Sequence, residues 1–312
     1  MATGEKLALN IKNIKHLVLS GGGFLGISYI GLFKYLEEKK MINQIKSVTG
    51  CSAGALFGAL FSLGYTSTET LDLIKSLNFK EYFNVTAESI LRFPKSKGLE
   101  TGNNLTDLFK SLIKTKTQDP HITFKQAHER FNIILQIGIT NLTTLKFEIC
   151  NYLTKPDMPV YLAIRASVAV PILFEPVIFN DCVYCDGGVI DNMPIDSALS
   201  LAESVCENME KEFDKRQECL NSTLCIYLTN KYKPINPENL NTTTLSHFME
   251  SMLKAINSGS ILHNTSNKFS GNMIYYEIPV DIMTFIKLNA SNDDIDNIVE
   301  IAYTTTKAKL GD

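Results

Sequence analysis

Residues 45–63 read IKSVTGCSAGALFGALFSL, and this stretch decides the fold. Ile45 to Thr49 has the short apolar pattern of a buried strand, and Ala53 to Leu63 is a nearly all-apolar run of helical length. Between them sits Gly50-Cys51-Ser52-Ala53-Gly54, a G-x-S-x-G pentapeptide. At a sharp strand-to-helix turn this pattern holds the serine side chain clear of the backbone. Gly50 and Gly54 let the turn close and let a substrate carbonyl approach. Ser52 is the candidate nucleophile, and the dipole of the following helix favours an anion beside it. The pentapeptide alone is moderately specific; the flanking strand and helix give it weight.

The same strand-then-helix rhythm continues on both sides. His16 to Ser20 is a short apolar run ending in glycines, and Gly26 to Lys40 carries Tyr29, Ile30, Phe33 and Leu36 at helical spacing. Further strands are expected at Phe131–Ile139 and Lys146–Cys150, paired around Asn141 to Thr143, and at Val177–Cys185, Thr223–Thr229 and Asn272–Pro279. Leu162 to Ser167 reads as a small-residue helix that Pro171 stops. Alternation of this kind predicts an α/β fold, a mainly parallel central sheet with helices on both faces. Residues 66–128 hold several short helical patterns, readable as a lid or as a plain insertion. The charged run Glu203–Lys215 reads as a solvated helix face, and 231–244 as a loop. No internal repeat or linker divides the chain. A single domain over 1–312 is expected, with a motif-bearing core at about 16–200 and a C-terminal part, 201–312, that completes the sheet and its cover.

Two further motifs carry chemistry. Ser20-Gly21-Gly22-Gly23-Phe24-Leu25-Gly26 again joins a strand to a helix. Gly21, Gly23 and Gly26 satisfy a dinucleotide fingerprint, but the acidic residue that should end the next strand is replaced by Gly50 and Ser52. A tight turn is the plain alternative. Successive glycines at a helix start expose backbone N–H groups, the make-up of an oxyanion hole, and that reading accounts for all three. Cys185-Asp186-Gly187-Gly188-Val189-Ile190-Asp191-Asn192-Met193-Pro194 follows a strand. There Asp186, with little bulk after it, could take the proton of Ser52; by itself, Asp-Gly-Gly is as well suited to a turn.

Together the three motifs resemble the patatin-like phospholipases, whose pattern is a glycine-rich oxyanion loop, then G-x-S-x-G, then D-G-G/A. The likeness runs from His16 to about Ser200. It includes Arg165-Ala166-Ser167-Val168-Ala169-Val170-Pro171 and Phe174-Glu175-Pro176, and resumes at Leu288 to Tyr303. The resemblance implies a modified α/β-hydrolase fold and a Ser–Asp dyad. Ser52 would be the nucleophile and Asp186 the base, with the oxyanion hole at Gly21, Gly22, Gly23 and Phe24. Gly26, Gly50, Gly54, Gly187 and Gly188 would support these motifs. It implies phospholipase A-type hydrolysis of glycerophospholipid esters through an acyl-enzyme, with a lipid ester as substrate, no cofactor and no metal. A low-turnover lipid-binding protein and a soluble esterase or thioesterase are the alternatives. One departure stands out: many relatives carry a basic residue in the loop where this chain has Phe24-Leu25.

Composition bounds the partners. The formal net charge is −3, with 45 % hydrophobic and 20 % charged residues, which gives no electrostatic footprint for nucleic acid. The start shows no signal-peptide pattern, and the apolar runs are too short to span a bilayer. Seven cysteines, an odd number, argue against a disulfide framework. A cytoplasmic protein is expected, with contact at membrane surfaces as its one route to them. Cys182-Val183-Tyr184-Cys185 lacks a second pair at zinc spacing. Past Asp186 only His247 and His263 occur, both in an amphipathic stretch, so a late triad histidine is not expected. Leu245, Phe248, Met249, Met252, Leu253 and Ile256 form a stripe suited to packing on the sheet or to lipid contact.

Overall fold

The computed structural model describes residues 13–82, 86–205, 212–230, 235–242, 272–279 and 291–311, with positions 248, 251, 252 and 255. Ten strands are assigned among these: β1 His16–Leu19, β2 Ser47–Cys51, β3 Gly98–Glu100, β4 Ile134–Asn141, β5 Lys146–Cys150, β6 Ile172–Phe174, β7 Val177–Phe179, β8 Cys182–Asp186, β9 Thr223–Asn230 and β10 Asn272–Ile278. The helices are α1 Tyr29–Glu38, α2 Ala53–Ser62, α3 Ser67–Ser76, α4 Ala87–Ser96, α5 Asn103–Thr117, α6 Phe124–Phe131, α7 Val160–Ser167, α8 Ile195–Val205, α9 Glu212–Ser222 and α10 Asn292–Leu310. Most of the stripe 245–256, with His247 and His263, lies outside the described residues.

Eight strands form the main sheet in the order β10-β9-β1-β2-β4-β8-β7, with β5 also pairing β4. From β10 to β4 all pairings are parallel; β8, β7 and β5 run antiparallel to their neighbours. The period-2 alternation of each strand sorts side chains onto two faces. Leu17, Leu19, Leu224, Ile226, Ile274 and Tyr276 belong to a large core shared with α1, α2 and α10. Val18 and Cys225 instead join a second core with Ile195, Ala198 and Leu199 of α8 and Leu220 of α9. Helices therefore cover both faces.

One register detail positions the site. Ile137 and Gly138 of β4 pair with β2 and with β5, while Ile139 pairs with β5 and with β8. A strand has two edges, so β2 and β8 share one edge of β4 and meet end to end. Cys51 lies opposite Gly138 and Asp186 opposite the next residue, Ile139. The tip of β2 and the tip of β8 abut.

At two places the chain is interrupted where the sequence reads as one continuous strand. Val177–Cys185 is two strands, because Asn180 and Asp181, at φ of 47° and 59°, fold the run into a tight hairpin. Phe131 ends α6 instead of opening β4; Asn132, at φ 54°, caps that helix in the left-handed region.

Candidate active site

Ser52 stands between β2 and α2 at φ 52° and ψ −120°, a conformation unfavourable for any residue with a Cβ. Its surroundings over-determine it. Gly54 lies so close to the backbone of β1 that any Cβ would strike the Leu19 carbonyl. The Ser52 N–H donates to Ser167 Oγ at 2.9 Å, and that hydroxyl donates to the Gly138 carbonyl at 2.7 Å. Ser167, at the end of α7 and fully buried, thus locks the turn to β4.

Across the abutting strand tips, Ser52 Oγ donates to Asp186 Oδ2 at 2.7 Å. The other carboxylate oxygen accepts the Gly188 N–H at 2.7 Å and faces Cys51 Sγ at 3.9 Å. Asp186 also gives its own N–H to the Ala169 carbonyl at 3.0 Å. Ser52 and Asp186 are only 8 % and 5 % exposed, so the pair sits in a poorly solvated setting. Burial pushes the Asp186 carboxyl up to about 6, although hydrogen bonds from Ser52, Gly188 and Cys51 pull the other way. Burial and the adjoining carboxylate raise the Cys51 thiol well above its ordinary range, so Cys51 stays a neutral neighbour. His16 lies at the other end of β1, bonded through Nδ1 to Ser47 Oγ at 2.8 Å, and burial lowers it to about 4.

The glycine loop is held from two directions. Gly21 gives its N–H to the Asn192 carbonyl at 3.0 Å and receives Asn192 Nδ2 on its own carbonyl at 3.1 Å. That amide is therefore committed, and the expected donor set narrows. The N–H groups of Gly22 and Gly23 have no acceptor among the described residues, and Gly23 reaches φ 55° with open space at its Cα. The first amides of α2, on Ala53 and Gly54, likewise have no described acceptor, as expected of a helix N-terminus. Phe24 turns its ring onto Phe79, with centroids 5.1 Å apart, and Leu25 is buried. Apolar packing anchors the loop at Phe24 and Leu25.

The supporting glycines are close-approach positions. Gly26 abuts Ala53 and Phe57, Gly50 abuts Gly54, and Gly187 fits against the Gly138 carbonyl and Cys51. Two residues given no role by the sequence reading, Ser167 and Asn192, prove to be positioning groups. Arg165, buried, donates to the carbonyls of Thr101, Glu175 and Gly102 at 2.8, 2.9 and 3.2 Å, bracing the wall beside the site. Among the described residues no group of three or more His, Cys, Asp or Glu side chains converges as metal ligands do, and no helix is long and apolar enough to cross a membrane.

A serine on a strand–elbow–helix turn, bonded to a buried carboxylate and beside loop amides with no acceptor among the described residues, has the geometry that a nucleophile and its base require. Comparison supplies the family. The family model for patatin-like phospholipases matches residues 17–199: the chain belongs to that family. It is 32 % identical over 194 residues to a protein of Invertebrate iridescent virus 6 named as a probable lipid hydrolase, covering 62 % of this chain and 66 % of that one. It is 30 % identical over 192 residues to the uncharacterized protein YqhO of Bacillus subtilis, covering 57 % and 64 %. The chain thus spans less than two thirds of the length of these curated relatives. The crystal structure of VipD from Legionella pneumophila superposes with a TM-score of 0.56 at 19 % identity, covering 99 % of this chain and 71 % of that one. The fold is patatin-like.

Proposed function

We propose that this protein is a lipid acyl hydrolase that cleaves glycerophospholipid esters, in the manner of a phospholipase A, through a Ser52–Asp186 dyad. One observation carries the reading: the 2.7 Å bond from Ser52 Oγ to Asp186 Oδ2, formed on a strained elbow with no other base in contact among the described residues. Membership of the patatin-like phospholipase family and likeness to a viral protein named as a probable lipid hydrolase support the substrate class.

In this mechanism Asp186 accepts the Ser52 proton as Oγ attacks the ester carbonyl. The new C–O bond turns that carbonyl oxygen into an oxyanion, which the Gly22 and Gly23 N–H groups and the start of α2 stabilise. Collapse expels the alcohol part of the lipid, which leaves with the proton held by Asp186. Water then attacks the acyl-enzyme and gives a proton to Asp186; as the second tetrahedral intermediate collapses, that proton passes to the departing Ser52 Oγ, releasing the fatty acid and restoring both groups.

Labelling with a fluorophosphonate is the direct test. The probe is expected to modify Ser52, with no labelling in Ser52→Ala; a folded wild-type protein that stays unlabelled would sink the hydrolase reading. The pH profile supplies a second check. A base must be ionised to accept a proton, so kcat/KM on a monomeric ester should fall as pH drops through about 6, where Asp186 titrates, and level off above it. A profile flat down to the ordinary carboxylate range would assign the base elsewhere.

A further inference from the structure

Helix α4 faces the wrong way for a surface helix. In AESILRFPKS, residues 87–96, a rotation of ~100° per residue places Ser89, Arg92, Phe93 and Ser96 on one side and Ala87, Ile90, Leu91 and Pro94 on the other. The polar side is the one turned inward. Ser89 is buried, Arg92 pairs with Glu175 at 3.5 Å, and Ser96 Oγ donates to the Gly98 carbonyl at 2.8 Å. The apolar side is turned out, with Ile90 59 % and Leu91 82 % exposed. Ordinary surface helices do the reverse.

The segment carrying α4 is tied to both walls of the active site. Ahead of it, Phe79 packs on Phe24 of the glycine loop. Behind it, β3 pairs with β6, with Gly98 opposite the partly exposed Ile172. Three residues before Ile172, the Ala169 carbonyl takes the Asp186 N–H. Exposed Lys95 and Lys97 stand at the C-terminal end of the helix, the latter with its ammonium on the Pro94 carbonyl. Glu88 is in the first turn, where a helix dipole accommodates an acid.

From this placement we infer that the outward face of α4, Ile90 and Leu91 with Lys95 and Lys97 at its end, is the surface on which the protein settles onto an anionic phospholipid bilayer. The inference rests on the lipid-ester reading above and adds its docking surface. Two exposed aliphatic side chains on a ten-residue helix offer far less than the ~1,200 Å² that stable protein–protein contacts bury, which argues against a second copy as the occupant. The same few side chains suffice for an interfacial helix, which needs only shallow apolar insertion and cations near the headgroups. Docked in this way, α4 would bring a lipid surface beside the glycine loop and the Asp186 strand.

The chain contains no tryptophan, so Leu91→Trp installs a single fluorescent reporter. With phosphatidylcholine vesicles containing phosphatidylserine, its emission should move to the blue and intensify, and less so with phosphatidylcholine alone. Leu91→Glu should weaken co-sedimentation with the mixed vesicles by about tenfold or more, the scale of losing one buried aliphatic group. Lys95→Glu should cost roughly fivefold on the mixed vesicles and little on the neutral ones. Unchanged Trp emission, wild-type binding by Leu91→Glu, or a dimer that Leu91→Glu dissociates would each overturn the proposal. Ile90→Ser repeats the test should Leu91→Glu fail to fold. Hydrolysis of a monomeric ester, measured in parallel, separates the two ideas: its loss in the wild type counts against the catalytic reading, and vesicle binding alone decides the docking surface.

Discussion

Asp186→Asn is expected to abolish ester hydrolysis and, in the same protein, to raise thermal stability at neutral pH. The activity loss follows from the proposed mechanism, in which Asp186 alone takes the Ser52 proton. A loss of about 10⁴-fold or more is the scale seen when a member of a catalytic unit is removed, and Ser52→Ala should lose as much. The double variant should be scarcely worse than either single one, because the two groups act together. The stability gain follows from burial. The carboxyl titrates at about 6 when folded, against an ordinary value of 3.8, so the folded state holds its proton more tightly than the unfolded chain. Stability therefore falls as pH rises through the window from the lower value to the higher, and the deficit remains above it. At ~1.4 kcal/mol per tenfold change in proton affinity, the deficit is roughly 3 kcal/mol. Asparagine carries no charge to desolvate, though its amide serves the Gly188 N–H less well. Melting curves should place Asp186→Asn several degrees above wild type at about pH 8, the advantage vanishing below about pH 4. An advantage that persists in acid would sever the link to this titration, and near-normal turnover would point to another base.

The second large effect concerns the fold. Gly54→Val should prevent the protein from reaching its native state, because the added carbons would occupy the space of the Leu19 carbonyl. That oxygen belongs to a strand paired on both edges and cannot step aside. The expected cost is on the order of 4–5 kcal/mol or more, enough to unfold many proteins. Soluble yield and near-ultraviolet circular dichroism are the readouts. Gly23→Ala is the control: its Cα faces open space at φ 55°, so the penalty is about 1–2 kcal/mol of backbone strain and the fold should survive. A Gly54→Val protein that melts like wild type would mean that α2 is not seated on β1 as described.

The main outline was legible from local pattern. The elbow, the glycine loop and the Asp-Gly-Gly turn each carry their structural context within a few residues, so their strand and helix neighbours could be read directly. The parallel sheet followed from strands alternating with helices. What escaped was set by tertiary contact. Nothing near Ser167 in sequence announces that its hydroxyl will hold a backbone amide 115 positions away. Nor does the loop reveal that Asn192 will commit the Gly21 amide while those of Gly22 and Gly23 find no acceptor among the described residues. The β7–β8 hairpin was a different kind of miss: Asn180-Asp181 is itself a turn signal, overlooked because the flanking residues read as one strand. The outward apolar face of α4 was open to inspection as a periodicity, but which side faces inward depends on Glu175 and Gly98.

The sheet order has a consequence for how the chain is made. β1 lies between β2 and β9, yet Thr223, the partner of His16 on the β9 side, is synthesised 207 residues later (223 − 16). At roughly 5–20 residues per second on the ribosome, the apolar strand Leu17-Val18-Leu19 waits on the order of 10–40 s with one edge open. A fragment trimmed to the residues that the family model matches, 17–199, would never close that edge, because β9 and β10 lie beyond it. Such a fragment would keep Ser52 and Asp186 but leave β1, paired only to β2, as an open hydrophobic edge strand, a template for aggregation.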